Sequence, residues 1–335
     1  MTSELKSVGI VGGGVIGGAW AARFVLNGID CRIYDPHPDA QRVVGEVMAN
    51  ASRAFEQLTA APLPPPGDLS FVASVDAAVD GAQLVQESVP ERLGLKQSMH
   101  AQIDAAAAPD ALVGSSTSGL LPTDIQRDMR NPGRMFVAHP YNPVYLLPLV
   151  ELVGGAATDQ DALERARDAY TQVGMQPVVI RKEIDAFVGD RLLEAVWREA
   201  LWLIKEDVTT VAELDDIMRY SFGMRWAQMG LFQTYRIAGG EAGMRHFINQ
   251  FGPTLALPWT RLTDVPELDE ELTEKIASQS DAQAGDLGIR ELERIRDDNL
   301  IGFMRVMAQA RDGKGWGAGK LLLDYEARLQ ARAKD

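Results

Sequence analysis

The sequence is poor in the residues that build disulfide scaffolds and metal centres: among 335 residues it has one cysteine, Cys31, and four histidines. A single thiol closes no intramolecular disulfide, and no Cys/His group has zinc-ligand spacing, so no metal site is expected and a reducing compartment fits. Equally absent is a run of 18 apolar residues. The opening MTSELKSVGIVGGG has no basic segment followed by an apolar core and a small-residue cleavage site. Neither a membrane span nor a secretory leader is expected, and the expected location is the cytoplasm. Basic residues are in deficit, 33 against 47 acidic ones, for a net charge of −14. That balance opposes polyanionic partners, which excludes nucleic acid and anionic membrane as expectations. With 46% hydrophobic and 24% charged residues, the chain has the make-up of a globular protein, and its length predicts about two domains.

Short β-branched runs alternate with helical patterns through the first half. Strands are predicted near 7–12, 30–35, 69–73, 83–88, 111–115, 134–138, 149–153 and 177–181, which is the pattern of a parallel sheet covered by helices on both faces. A helix from about 39 to 59 precedes the rigid loop Pro62 to Gly67. From Phe187 onward Leu193, Val196, Trp197, Ala200, Leu201 and Ile204 recur at helical steps and predict a buried stripe. Further helices are predicted at 210–221, 240–250, 267–280, 287–312 and 318–332. The expected organisation is an α/β domain over 1–184 followed by an all-α domain over 185–335.

Gly12, Gly14 and Gly17 form G-x-G-x-x-G directly after the first predicted strand, with Val15 and Ile16 opening the following helix. Such glycines permit a tight turn, close backbone approach to a pyrophosphate and close helix–strand packing, with the helix N-terminus facing the anion. The next strand ends in Asp35, whose carboxylate can accept hydrogen bonds from the adenosine ribose and repels a 2′-phosphate, so NAD is expected in preference to NADP. On this motif alone FAD remains open. The α/β domain is accordingly expected to be of the Rossmann type.

Four further stretches contain residue types suited to alcohol oxidation: Gln86 to Glu91, Ser115 to Leu120, His139-Pro140-Tyr141-Asn142-Pro143, and Pro148 to Glu151. Together with the glycine fingerprint they resemble the 3-hydroxyacyl-CoA dehydrogenase family, whose motifs are S-[NS]-T-S and H-x-x-N-P with a Glu twelve residues after the His. Oxidising a secondary alcohol requires a group able to take the hydroxyl proton near neutral pH, a role suited to imidazole. His139 is the expected base, while His37, His100 and His246 are expected to be ordinary surface or partly packed residues. Glu151 could hold the imidazole in one tautomer, and Ser118 could bond the substrate oxygen. The resemblance implies a catalytic set of Ser118, His139, Asn142 and Glu151, with Glu91 and Lys96 near the nicotinamide ribose. It also implies a homodimer built through the helical domain.

Two departures limit the acyl-CoA reading: Asp190 stands where the family usually has Asn, and Ser116 replaces the Asn of S-N-T-S. Gly223-Met224-Arg225-Trp226 and the Asp190-Arg191 pair resemble the branch acting on small free hydroxy acids, and imply L-carnitine as the substrate. A quaternary ammonium is held by aromatic faces, for which Tyr141, Tyr145, Trp197, Trp202, Phe222, Trp226, Phe232 and Tyr235 are candidates, with core packing the alternative for each and Trp197 on the stripe expected to be core. Arg225 is a candidate for the substrate carboxylate, and Asp190 suits a cation. The alternatives are L-gulonate, a short-chain 3-hydroxyacyl-CoA, or a non-catalytic NAD-binding structural protein.

Overall fold

All eight predicted strands form and join one sheet. They are β1 (Ser7–Val11), β2 (Asp30–Tyr34), β3 (Leu69–Phe71), β4 (Leu84–Glu87), β5 (Leu112–Ser115), β6 (Met135–Pro140), β7 (Leu149–Gly154) and β8 (Gln176–Ile180), in the order β3-β2-β1-β4-β5-β6-β7-β8. The computed structural model describes residues 4–334 other than 239–242, 252–259, 261–266, 268, 276–281, 283–284 and 288. The expectation of an all-parallel sheet is corrected at one place: β7 runs antiparallel to β6, while every other pair is parallel. The connection 141–148 is too short for a helical crossover, so the chain turns back.

Successive strand residues feed opposite faces. Val8, Ile10, Leu84 and Leu112 join one core with α1 (Val15–Val25), α2 (Ala40–Leu58) and, farther along the chain, α6 (Gln160–Gln172). Val11, Val85 and Val113 join another with α3 (Val75–Val79), α4 (Leu93–Ala106) and α5 (Pro122–Ile125). Burial on both faces explains why these strands read as continuous apolar runs. In α2 the buried Val44, Ala51, Ala54, Phe55 and Leu58 form the stripe that its spacing predicts. The chain order reverses at β1, which lies between β2 and β4, so a crevice opens at the carboxyl ends of β1 and β4.

The helical residues divide differently from the expected 184/185 partition. Met1–Asp190 and Arg294–Asp335 form one compact unit, and Arg191–Glu293 forms the other. The C-terminal helices α11 (Ile289–Gly313) and α12 (Ala318–Arg332) return to the α/β unit because Ile301, Met304, Leu322, Tyr325 and Leu329 find burial in its first core. Polar bonds fix the contact: the Tyr325 hydroxyl donates to Asn27 Oδ1 at 2.8 Å and that of Tyr145 to Asp297 Oδ2 at 2.6 Å.

The second unit contains most of α7 (Gly189–Lys205), then α8 (Val211–Tyr220), α9 (Phe222–Ala238) and α10 (Gly243–Phe251). Thr210 and Glu213 close a capping box at the start of α8. Helix α9 was not among the predicted helices; its glycines obscure the period, and Gly230 leaves the helical region at φ 69°. Of the predicted 240–250 and 267–280 helices, residues 243–251 and 270–275 are helical, and the remaining masked positions lie outside the described residues. The stripe on α7 is buried only in its second half: Ala200, Leu201 and Ile204 are covered, but Leu193 and Trp197 are 61% and 49% exposed.

Candidate active site

The glycine fingerprint forms the β1–α1 turn. Gly12 has φ +100°, a conformation costly for other residues. A Cβ on Gly17 would lie 1.8 Å from the Gly12 carbonyl oxygen, so only glycine lets the helix approach the strand this closely. Gly14 is exposed with open space where a Cβ would stand, and no side chain caps α1. Its first amides are therefore available to a pyrophosphate, and the cradle fits a dinucleotide. Val15 is exposed in the first turn, and Ile16 lines the cleft described below. Asp35 sits just beyond β2, accepting from the Gly13 amide at 2.6 Å and the His37 amide at 2.7 Å.

The twelve-residue spacing of His139 and Glu151 has a structural cause. They are direct partners in the antiparallel β6–β7 ladder. His139 Nδ1 lies 2.9 Å from Glu151 Oε2, which also accepts the Tyr141 hydroxyl at 3.0 Å; Oε1 accepts the amides of Val188 and Gly189 at 3.2 and 3.1 Å. Burial would raise the Glu151 carboxyl, but the bonds from His139, Gly189 and Tyr141 outweigh it and hold it below the ordinary range. A charged carboxylate at Nδ1 places the ring proton there and leaves Nε2 as the acceptor. Burial, then the neighbouring Glu151 and Asp190, push the Tyr141 phenol up, so it remains a donor.

His139 Nε2 faces a cleft of about 390 Å³ walled by Ile16, Ser88, Glu91, Lys96, Ser118, Tyr141, Asn142 and Asp190. Asp190 Oδ2 is 3.7 Å from Nε2. One cleft thus gathers the whole expected catalytic set except Glu151, which stands behind His139. A larger cavity of about 690 Å³ lies at the amino-terminal edge of the sheet among Glu4, Gln83, Asp110 and Asp168, away from all of these residues. In open α/β sheets ligands bind at the carboxyl edge, where His139 is.

Glu91 holds the Ser118 loop. Its Oε1 accepts the Thr117 hydroxyl and the amides of Ser118 and Gly119 at 3.1 and 3.3 Å, and its Oε2 is 3.4 Å from Lys96 Nζ. Lys96 is 1% exposed and donates to Glu87 Oε1 at 2.8 Å and the Val89 carbonyl at 3.1 Å, so its contacts within the protein are those of an anchor at the cleft wall. Glu87, to which the sequence reading gave no role, is the hub of this wall: it also accepts the Val89 amide, the Ser115 hydroxyl and His100 Nε2 at 2.6, 2.6 and 3.0 Å. His100 is fully buried, correcting its expected surface or partly packed position; the acceptor Glu87 makes that burial tolerable. Phe187, also unassigned from sequence, is fully buried with its ring 5.5 Å from that of His139. Glu87 lies within the Gln86 to Glu91 stretch, but nothing in the sequence pairs it with Lys96 nine residues further on, and no local signal marks Phe187.

The expected aromatic residues separate. Tyr141 has its ring 4.8 Å from His139. Tyr145 is a core residue, 4% exposed, whose hydroxyl is bound to Asp297, so it is withdrawn as a substrate-facing ring. Arg225 and Trp226 lie on α9 in the second unit, Trp226 against Phe222 at 4.7 Å, and Tyr235 stacks on Phe247. His37 and His246 are exposed, as expected. Among the described residues no group of His, Cys, Asp and Glu could hold a metal.

A dinucleotide cradle and a carboxylate-held histidine on one sheet edge define a nicotinamide-dependent dehydrogenase. Residues 7–184 match the 3-hydroxyacyl-CoA dehydrogenase NAD-binding domain and residues 187–277 its C-terminal domain. The chain belongs to the 3-hydroxyacyl-CoA dehydrogenase family, and its cofactor is NAD. It is 65% identical over 332 residues to an L-carnitine dehydrogenase/betainyl-CoA thioesterase of Rhizobium sp, covering 99% of this chain and 67% of that one. The corresponding protein of Rhizobium meliloti is 67% identical, with 98% and 66% covered; this chain therefore spans about two thirds of these two-function relatives. The L-carnitine dehydrogenase of Mesorhizobium japonicum is 60% identical, with 98% and 90% covered. Among solved structures, a 5-formyl-3-hydroxy-2-methylpyridine 4-carboxylic acid 5-dehydrogenase, an NAD-dependent dismutase, aligns with a TM-score of 0.77 at 27% identity over 90% of this chain and 98% of that one.

Proposed function

We propose that this chain oxidises the 3-hydroxyl of L-carnitine to 3-dehydrocarnitine. The observation that carries the reaction type is His139, with Nδ1 engaged by Glu151 and Nε2 presented to the cleft. The substrate reading is supported by relatives at 60–67% identity that are named for L-carnitine. The Gly12–Gly17 turn and the first amides of α1 would hold the pyrophosphate, and Asp35 the adenosine ribose. NAD, when bound, accepts the hydride from the carbinol carbon. His139 Nε2 takes the hydroxyl proton as the carbonyl forms, and Glu151 offsets the resulting imidazolium charge. Ser118 and Asn142, both on the cleft wall, hold the reacting oxygen. Tyr141 offers its ring to the trimethylammonium group.

The proposal extends to assembly and location: a homodimer through the helical unit, in the cytoplasm. Its support is the apolar surface of α7 to α9, where Leu193, Trp197, Ile217 and Phe232 are exposed. No helix among the described residues is long and apolar enough to cross a membrane.

A substrate panel followed at 340 nm under saturating NAD tests the activity. The kcat/KM for L-carnitine is expected to exceed that for L-gulonate, 3-hydroxybutyrate and 3-hydroxybutyryl-CoA by more than about tenfold, or about 1.4 kcal/mol of transition-state discrimination. Better turnover of gulonate or of the CoA ester removes the substrate assignment and leaves the His139–Glu151 chemistry in place.

A further inference from the structure

His139 stands between two carboxylates, and only one of them is explained by the proton transfer. Glu151 engages Nδ1 at 2.9 Å; Asp190 Oδ2 is 3.7 Å from Nε2, the nitrogen that receives the substrate hydroxyl. An acidic residue in the first turn of α7 favours the helix wherever its carboxylate points. Helix stability does not require it to face the reacting nitrogen from the wall of the cleft.

The geometry points to Asp190 as the group that orients the substrate, by pairing with its quaternary ammonium; this rests on the carnitine reading above. In carnitine the ammonium nitrogen and the carboxylate carbon are each two bonds from the carbinol carbon, about 2.5 Å away, and the ammonium nitrogen is about 3–4 Å from the hydroxyl oxygen in any staggered conformer. Proton transfer brings that oxygen to about 3 Å from Nε2. Both charged arms therefore stay within about 11 Å of Asp190 Oδ2, inside the range over which its charge distinguishes them. One is attracted and the other repelled, so the ammonium arm turns toward Asp190 and the carboxylate arm away. The same charge discriminates between enantiomers. With the hydroxyl on His139 and the carbinol hydrogen directed at the nicotinamide, D-carnitine exchanges its two arms and brings its carboxylate to Asp190. An amide at this position would leave either arm acceptable.

The test compares L-carnitine with its uncharged isostere 3-hydroxy-5,5-dimethylhexanoate, in which tert-butyl replaces trimethylammonium. Asp190 is partly open to water, its side chain 24% exposed, which moderates the effect. In Asp190→Asn, kcat/KM for L-carnitine is expected to fall by about 10–100-fold while that for the isostere changes less than about threefold. D-carnitine, as a competitive inhibitor, should bind the variant more tightly than it binds the unaltered enzyme. Asp190→Glu, which keeps the charge, should retain most of the preference for L-carnitine. NADH fluorescence titration establishes that each variant is folded. The unaltered enzyme supplies a check that needs no variant: the isostere should compete at least about tenfold more weakly than L-carnitine binds, and equal affinities overturn the inference. A preference unchanged in Asp190→Asn overturns the inference and leaves the carnitine activity standing. Failure of the unaltered enzyme to oxidise L-carnitine, with another hydroxy acid turned over, overturns both.

Discussion

Trp20, Phe24, Phe55 and Phe136 in the α/β unit are all fully buried, whereas Leu193, Trp197, Ile217 and Phe232 on α7 to α9 remain 49–73% exposed. The sequence patterns of the two regions are equally apolar at these positions. In the first region the sheet buries its central apolar residues against helices of the same chain, although Val178 and Val179 on β8 and Phe303 and Val306 on α11 stay exposed. In the helical unit the amphipathic stripes have apolar residues beyond those its own helices cover, as expected of surfaces that meet another molecule. The glycine turn, His139, Glu151 and the cleft all belong to the α/β unit.

The largest effect that would break this comparison is loss of the base. His139→Ala should lower turnover by roughly 10²–10⁴-fold with NADH binding retained; near-normal turnover in a folded variant would move the chemistry elsewhere. A matched pair of phenylalanine truncations sharpens the contrast in packing. Phe24→Ala should cost about 3–5 kcal/mol in urea unfolding, because it empties a filled core, while Phe232→Ala should stay within about 0.5 kcal/mol. The expected signature of Phe232→Ala is weaker self-association in sedimentation velocity; an unchanged mass would separate this face from the proposed dimer.

A pH-dependent effect concerns the polar interior of the α/β unit. Burial alone would raise the Glu87 carboxyl, but the hydrogen bonds and charges of His100 and Lys96 outweigh it and hold it at about 2. A folded-state value below the unfolded one means that the stabilisation is fully present above about pH 4.5 and is lost as the pH falls toward 2, a change of roughly 3 kcal/mol. Urea unfolding of the unaltered protein and of Glu87→Gln should therefore differ most at neutral pH and converge on acidification. A gap that widens toward acid would contradict the network.

Much of the site was legible because its residues sit at strand ends with strong local signals. Gly12, Gly14 and Gly17 follow β1, and Asp35 follows β2. His139 and Glu151 were legible as a resemblance, whereas the reason for their spacing, the β6–β7 register, required the strand pairing. His100 was misjudged and the bond of Lys96 to Glu87 was not foreseen, since a helix pattern shows which residues are polar and not which buried carboxylate awaits them. Tyr145 was read as a ring near the substrate from its place in the loop, and the fold turned it into the core toward Asp297.

Sequence alone sufficed for the strand positions, the dinucleotide turn, and the choice of His139 and Glu151 as the proposed base and its carboxylate, because each depends on local periodicity or on the chemistry of a short motif. Tertiary structure alone decided that β7 returns antiparallel, that the C-terminal helices pack on the α/β unit, that Glu87 gathers Lys96 and His100, and that Asp190 faces Nε2. These four features join residues distant in sequence, and an apolar or charged residue states its need for burial or a partner without stating which surface will supply it.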